Sequence, residues 1–86
     1  MSGAVTVLYF AALREQIGRA GEVMPLDNIR TVSGLLAGKR KNDPVFDKAF
    51  PEAGIIRVAV NRVLADFDAP VKAGDEVAFF PPMTGG

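Results

Sequence analysis

Residues 76–86 read EVAFFPPMTGG, and this stretch decides how the rest of the chain is interpreted. The alternating apolar side chains of residues 76–80 predict a strand. Pro81 and Pro82 end that strand because proline lacks the N–H that a sheet ladder needs, and they direct the chain along an extended path. We therefore expect a folded domain over residues 1–80 that runs directly into a tail.

The tail, residues 81–86, is expected to be flexible and to project from the domain. Gly85 and Gly86 have no Cβ, so they fit through a channel too narrow for other residues. We interpret the terminal carboxylate of Gly86 as the working group of the protein. The alternative is a frayed chain end, since small residues are common at termini.

Composition excludes several classes of function. The chain has 86 residues, a formal net charge of zero, no cysteine and no histidine. One domain with a modest core is expected at this length. The absence of a basic excess argues against nucleic-acid binding. Without cysteine and histidine, there is no Cys–His or Ser–His nucleophile pair, and the commonest transition-metal ligands are missing. No segment resembles a signal peptide or is long enough to span a bilayer, so we expect a cytoplasmic protein without a membrane partner.

Hydrophobic periodicity divides the chain into short elements. The first half is predicted to contain a strand at 4–10, a helical turn at 11–17 that Gly18 ends, a strand at 22–26 and a main helix capped by Thr31. An irregular crossover follows from Asp43–Pro44 to Pro51. The second half is predicted to contain strands at 55–61 and 63–64, joined by a tight turn at Asn61–Arg62, and a strand at 76–80 after a turn at Gly74.

This order predicts an α+β fold in which a mixed sheet packs on one main helix. The second sheet face then stays uncovered, and Phe10, Leu64 and Phe80 are candidates for it. Such a patch marks an interface. The alternative is that these side chains lie under the crossover segment.

The main helix has two unusual features. Gly34 and Gly38 weaken it by about 1 kcal/mol each relative to alanine, so packing must hold it. Residues 39–41, Lys-Arg-Lys, fall in its last turn, where cations suit the helix dipole. A phosphate site is conceivable there, but we interpret the triplet as a solvated helix end.

No set of side chains suggests catalysis. Asp66 with Asp68, and Asp75 with Glu76, lie in predicted turns or at a strand start, where they have turn-forming and solvated roles. The terminal carboxylate therefore remains as the reactive group. It is a poor electrophile, so another protein that binds ATP must activate it, for instance as an acyl-adenylate.

Three stretches resemble one known family. Residues 7–15 (VLYFAALRE), 58–61 (VAVN) and above all 74–86 (GDEVAFFPPMTGG) are similar to the small subunit of molybdopterin synthase, the MoaD family. The resemblance extends over the whole chain and is weakest in the middle, at residues 39–54.

The resemblance implies a ubiquitin-type β-grasp and a sulfur-carrier function. Gly86 would be adenylated by an E1-like, MoeB-type enzyme that uses ATP, and then converted to a thiocarboxylate with sulfur from a sulfurtransferase. The tail would enter the large subunit, MoaE, in a heterotetramer and give sulfur to cyclic pyranopterin monophosphate. The small subunit would bind no cofactor or metal and supply no catalytic side chain. The implied partner contacts are Phe10, Arg14, Leu64, Phe80, Pro81, Pro82, Met83 and Thr84, with Gly85 and Gly86 as the reactive end.

The missing cysteine agrees with this reading, since a cysteine-free sulfur carrier has only its backbone carboxyl group to hold sulfur. Three alternatives stay open. They are a related carrier for thiamine synthesis or tRNA thiolation, a protein modifier joined to lysine, and a binding module with an inert tail.

Overall fold

The computed structural model describes residues 3–52 and 55–81. The elements in chain order are β1 (Ala4–Tyr9), α1 (Ala11–Ile17), β2 (Gly21–Pro25), α2 (Val32–Asn42), α3 (Pro44–Glu52), β3 (Arg57–Val60), β4 (Val63–Ala65) and β5 (Glu76–Phe80). The predicted tail beyond Pro81 lies outside the described residues.

The five strands form one mixed sheet in the order β2-β1-β5-β3-β4. The first and last strands are parallel neighbours at its centre, while the other pairs are antiparallel. The last strand is therefore held on both sides by backbone hydrogen bonds. This is the topology of the ubiquitin-like β-grasp, and the predicted α+β fold is confirmed.

The core lies between one sheet face and the three helices. β1 contributes Val5, Val7 and Tyr9, and β5 contributes Val77 and Phe79, all at most 1% exposed. This is the alternation expected for strands with one buried face. Full burial of an apolar side chain of this size stabilises the fold by about 1.5–3 kcal/mol.

Residues 44–52 form a regular helix, whereas the sequence predicted an irregular crossover and a single main helix. Asp43 Oδ1 accepts hydrogen bonds from the backbone N–H groups of Val45 (3.1 Å) and Phe46 (3.2 Å), which caps the helix start. Phe46 and Ala49 are buried against the sheet. The crossover was expected to end at Pro51, but the helix continues to Glu52. A proline this close to the end removes only one of the last hydrogen bonds.

The main helix, α2, begins as predicted. Thr31 Oγ1 accepts a hydrogen bond from the Gly34 N–H at 3.1 Å. The basic last turn of α2 differs from the predicted solvated helix end, because the Lys39 side chain is bound by two carboxylates. Lys39 Nζ lies 2.8 Å from Glu22 Oε1 and 3.1 Å from Asp43 Oδ2. Lys39 therefore joins α2 to β2 and to the start of α3.

The predicted turn residues have the required backbone angles. Gly18, at the end of α1, has a φ of 87°, and Gly74, before β5, has a φ of 89°. Asn61 (φ 51°) and Arg62 (φ 68°) both adopt the left-handed conformation. Two such residues make the type I′ turn that suits the twist of a tight hairpin, here between β3 and β4.

Candidate functional site

The sheet face opposite the helices carries a row of apolar side chains. Register pairs place Leu8, Ala78, Ala59 and Leu64 side by side across four strands. The two small alanine side chains at the centre lie between two larger leucine side chains, so the surface of the sheet is recessed in the middle of this face. No other element among the described residues covers it.

A shallow apolar depression of about 350 Å³ lies on this face where β5 ends. It is lined by Phe10, Ala11, Ala78, Phe80 and Pro81. Every lining residue is apolar, which is typical of a surface that another protein covers.

The turn after β1 holds Phe10 in this position. The Phe10 N–H donates to the Phe79 carbonyl at 3.2 Å, which extends the pairing of β1 with β5 by one residue. Ala11 then adopts a φ of 53° and starts α1. The left-handed conformation costs a non-glycine residue about 1–2 kcal/mol. The Phe10 ring remains 46% exposed beside Phe80.

The structure places Leu64 on the same face, but not in the depression. Leu64 is 66% exposed on the edge strand β4, two strands away from β5. It lines a neighbouring depression together with Arg57 and Asp66. Phe10 and Phe80 are therefore brought together, while Leu64 extends the surface toward the sheet edge.

Arg14 is exposed one helical turn beyond Phe10. Its backbone N–H donates to the Phe10 carbonyl at 3.3 Å. In the part of the chain that the structure describes, its side chain forms no ion pair. Pro81 is half-buried and lines the depression. The remaining predicted site residues, Pro82, Met83, Thr84, Gly85 and Gly86, lie outside the described residues.

The start of β5 is fixed by a polar lock that sequence reasoning missed. Asn61 Nδ2 donates to Asp75 Oδ1 at 3.0 Å, and the Glu76 N–H donates to Asn61 Oδ1 at 2.9 Å. The Lys72 N–H donates to Asp75 Oδ2 at 2.9 Å. The hydrogen bond from Asn61, aided by the one from Lys72, outweighs burial and lowers the pKa of Asp75. Both residues were expected in turns, but Asp75 is buried rather than solvated.

A second polar cluster, also missed, lies at the other sheet edge. Tyr9 Oη donates to Glu22 Oε2 at 2.6 Å, and Lys39 binds the other carboxylate oxygen. Burial opposes ionisation of Glu22, but the hydrogen bonds from Lys39 and Tyr9 prevail and lower its pKa. Burial also favours neutral Lys39, yet its bonds to Glu22 and Asp43 raise its pKa. No local pattern signals this pairing, because Glu22 lies 13 residues after Tyr9 and 17 residues before Lys39.

Asp66 has the turn-forming role that the sequence predicted. Its Oδ1 accepts the Asp68 N–H at 3.0 Å. Over residues 3–52 and 55–81, no cluster of three or more potential metal ligands is found. None of the helices in these ranges has the length and apolar character needed to cross a membrane.

Comparison with known proteins gives a consistent result. The sequence matches the ThiS family over residues 7–86. The molybdopterin synthase sulfur carrier subunit of Escherichia coli (strain K12) is 40% identical over 82 residues, which is 95% of this chain and 99% of that protein.

Solved structures share the fold. The crystal structure of SAMP1 from Haloferax volcanii has a TM-score of 0.75 and 30% identity, covering 98% of this chain and all of that chain. A complex of subunits 1 and 2 of the molybdopterin-converting factor from Helicobacter pylori 26695 contains a chain with a TM-score of 0.64. At 21% identity, with 96% and 99% coverage, this second likeness concerns the fold alone. The chain therefore belongs to the ThiS/MoaD family of ubiquitin-like sulfur carriers.

Proposed function

We propose that this chain is the sulfur-carrier subunit of a molybdopterin synthase and that the carboxyl group of Gly86 carries the sulfur. The observation that supports this most is the family match, which continues to residue 86 and so includes Gly85 and Gly86. β5 ends beside the apolar depression, and these glycines follow in the sequence after residues 81–84.

The chemistry follows from the properties of a carboxylate. An E1-like enzyme attaches the Gly86 carboxylate to the α-phosphorus of ATP, and pyrophosphate leaves. A persulfide on a sulfurtransferase then attacks the acyl carbon, AMP leaves, and an acyl disulfide joins Gly86 to the donor. A thiol reduces the S–S bond and forms a disulfide with the donor cysteine, so that the chain ends in a thiocarboxylate. Because the chain has no cysteine, no side chain competes as a persulfide carrier.

Sulfur transfer takes place in the large subunit. The thiocarboxylate is soft, nucleophilic and ionised at neutral pH, so its sulfur can attack cyclic pyranopterin monophosphate and displace an oxygen substituent. Water then hydrolyses the resulting thioester, which leaves the sulfur on the pterin and returns the carboxylate of Gly86. Two such transfers form the dithiolene of molybdopterin. Pro82, Met83 and Thr84 connect the domain to Gly85 and Gly86, and in this proposal they contact the channel that leads to the reaction centre.

The apolar depression is the surface through which the carrier binds the activating enzyme and the large subunit. Phe10, Phe80 and Pro81 supply an aromatic and apolar surface beside the exit of the tail. Aromatic anchors in such surfaces carry a large share of binding energy. Leu64 widens the contact toward β4, and Arg14 lies at its edge. The folded domain binds the activating enzyme first and the large subunit afterwards, and each time it presents the tail to the partner's reaction centre.

A second candidate function is protein modification. It is favoured by the likeness to SAMP1 from Haloferax volcanii and to a second solved structure from that organism, which is named small archaeal modifier protein 1. The same activated Gly86 would then be attacked by a lysine amine, which forms an isopeptide bond. Sulfur transfer for thiamine synthesis or tRNA thiolation would use the same thiocarboxylate with another acceptor.

An intact-mass measurement tests the proposal directly. The protein is purified from cells that also express its activating enzyme and sulfurtransferase. We expect a species in which one oxygen has been replaced by sulfur, and tandem fragmentation should place it on Gly86. Deletion of Gly86, or addition of one residue after it, should abolish this species while the circular dichroism spectrum stays unchanged.

The same experiment separates the alternatives. A binding module with an inert tail would show no sulfur in any strain. A modifier would yield lysine conjugates of higher mass. If the purified thiocarboxylate form failed to convert cyclic pyranopterin monophosphate with the large subunit, a different sulfur acceptor would have to be sought.

A further inference from the structure

Arg57 lies beside the proposed docking surface. It is the register partner of Phe80 in the antiparallel pair of β3 and β5. Directly paired residues of two strands leave the same face of a sheet, and Val58, its neighbour in β3, points into the core at 1% exposure. Arg57 therefore belongs to the open face, where it lines the depression that contains Leu64 and is the strand neighbour of Phe80 in the other depression.

The positive charge of Arg57 is not neutralised within the domain as far as the structure describes it, since none of the ion pairs there includes this residue. The acid closest in register is Asp66, which lines the same depression. Its Oδ1 accepts the Asp68 N–H at 3.0 Å instead.

Apart from Asp66, and from Arg14 at the edge near Phe10, the charged residues of this face lie at its far end. Glu76 begins β5 and lies 3.7 Å from the guanidinium of Arg62. Phe80 lies four positions after Glu76 in β5, which is roughly 13 Å along the strand. The end of the face from which the tail leaves is therefore apolar, with Arg57 on β3 and Arg14 on α1 as positive charges at its margins.

We propose that Arg57 pairs with a carboxylate on the large subunit of molybdopterin synthase and determines how that subunit recognises the carrier. The inference rests on the proposed function and specifies the partner surface, which is an apolar patch with an acidic group at its margin. The large subunit is the occupant because the relative from Escherichia coli is named as a subunit of the synthase. The positive margin of the depression requires a negative complement.

The expected effect concerns recognition more than stability. A guanidinium presents a planar fork that fits a carboxylate through two parallel hydrogen bonds. At the margin of an interface, such a charge mainly accelerates association and penalises wrong partners, and its effect weakens with salt. Because Arg57 is exposed and forms no ion pair with any residue that the structure describes, its replacement should leave the fold intact.

The test compares Arg57→Gln and Arg57→Glu with the wild-type carrier. Association with the purified large subunit of the same organism is followed by stopped-flow fluorescence at several salt concentrations. Lys48→Gln and Lys48→Glu are matched controls, because Lys48 is exposed on α3, on the other side of the sheet. Urea unfolding of all variants checks the fold.

We expect Arg57→Gln to slow association about three- to tenfold at low salt and to flatten its salt dependence. Arg57→Glu should slow it further, since it adds repulsion, while the Lys48 variants should stay within about twofold of the wild type. Unchanged association of Arg57→Gln, or faster association of Arg57→Glu than of Arg57→Gln, would overturn the inference. If the wild type itself did not bind the large subunit, the proposed function would fail as well.

Discussion

Phe79 and Phe80 are neighbours in β5, yet their side chains leave opposite faces of the sheet. The ring of Phe79 is 1% exposed and packs edge-to-face on Phe50, with ring centroids 5.5 Å apart. The ring of Phe80 lines the apolar depression beside Phe10. Of these two adjacent phenylalanines, Phe79 therefore stabilises the fold, and Phe80 belongs to the surface proposed for docking.

Alanine substitutions at these two positions should have opposite consequences. Phe79→Ala removes a fully buried ring, and we expect it to lower the free energy of unfolding by about 3–5 kcal/mol. Phe80→Ala should cost less than about 1 kcal/mol but weaken binding of the large subunit by about 2 kcal/mol or more. Phe80→Asp should weaken binding further. Urea unfolding and titration calorimetry measure the two quantities. Equal losses of stability and binding in Phe80→Ala would show that Phe80 belongs to the core.

The lock between Asn61 and Asp75 should respond to an isosteric exchange. Asn61→Asp keeps the size of the side chain but replaces the donor to Asp75 by a second carboxylate. We expect a loss of about 2–4 kcal/mol at neutral pH, because a buried acceptor loses its partner and faces a like charge. The loss should shrink as the pH falls and one carboxyl group binds a proton.

A reciprocal exchange is the control for this lock. In the double variant Asn61→Asp with Asp75→Asn, the amide donates from the other side, and the Lys72 and Glu76 N–H groups keep acceptors. Most of the lost stability should return in urea unfolding at neutral pH. A double variant as unstable as the sum of the single variants would show that the hydrogen bond between these side chains contributes little.

Local patterns predicted most elements of this fold. The alternation in β1 and β5, the Thr31 cap and the left-handed turn at Asn61 depend on a few neighbouring residues, and all are confirmed. The open sheet face also followed from local pattern, since Ala78 and Phe80 alternate with buried residues. Position along one strand is enough to assign such faces.

Long-range pairing could not be predicted in the same way. α3 was missed because the stripe of Phe46, Ala49 and Phe50 is short, and only its burial on the sheet makes a regular helix favourable there. Lys39 looked like a solvated cation because its partner Glu22 lies 17 residues earlier, on β2. The separation of Leu64 from the depression depends on strand order, which a single sequence does not reveal.

Two glycines offer a matched test of packing. A Cβ at Gly38 in α2 would meet only Ile29 Cδ1 at 3.7 Å, which is an ordinary contact. Gly38→Ala should therefore raise the free energy of unfolding by about 0.5–1 kcal/mol through helix propensity. A Cβ at Gly21 in β2 would lie 2.6 Å from the Val7 carbonyl oxygen. Gly21→Ala should lower the free energy of unfolding and shift the unfolding midpoint to a lower urea concentration, whereas Gly38→Ala should shift it to a higher one. A loss in Gly38→Ala would mean that this helix needs its glycine for another reason.

The hydrogen bond between Tyr9 and Glu22 should shape the dependence of stability on pH. Burial, and then the hydrogen bond to Glu22, raise the pKa of the Tyr9 phenol far above its ordinary value of 10.0. In the unfolded chain the phenol loses its proton near that ordinary value, while the folded chain retains it. Stability from this group is therefore complete below about pH 10 and declines above it.

The acidic side of the profile follows from Glu22 and Asp43. The pKa of Asp43 is lowered by its hydrogen bonds from Lys39 and the Phe46 N–H, and that of Glu22 is lowered as well. Their contributions are present above the ordinary values of 3.8 and 4.5 and are lost as the pH falls below them. Since the chain has no histidine, the midpoint of urea unfolding should be nearly constant from about pH 6 to pH 9.

Tyr9 is the only tyrosine of the chain, so its ionisation can be followed by absorbance. We expect the tyrosinate signal to appear together with the loss of circular dichroism, because the buried phenol cannot ionise in the folded protein. Tyr9→Phe should lower stability by about 1–2 kcal/mol near neutral pH, since Glu22 loses a donor, and should flatten the decline above pH 10. A tyrosinate signal that rises near pH 10 while the fold persists would contradict the burial of this ring against Glu22.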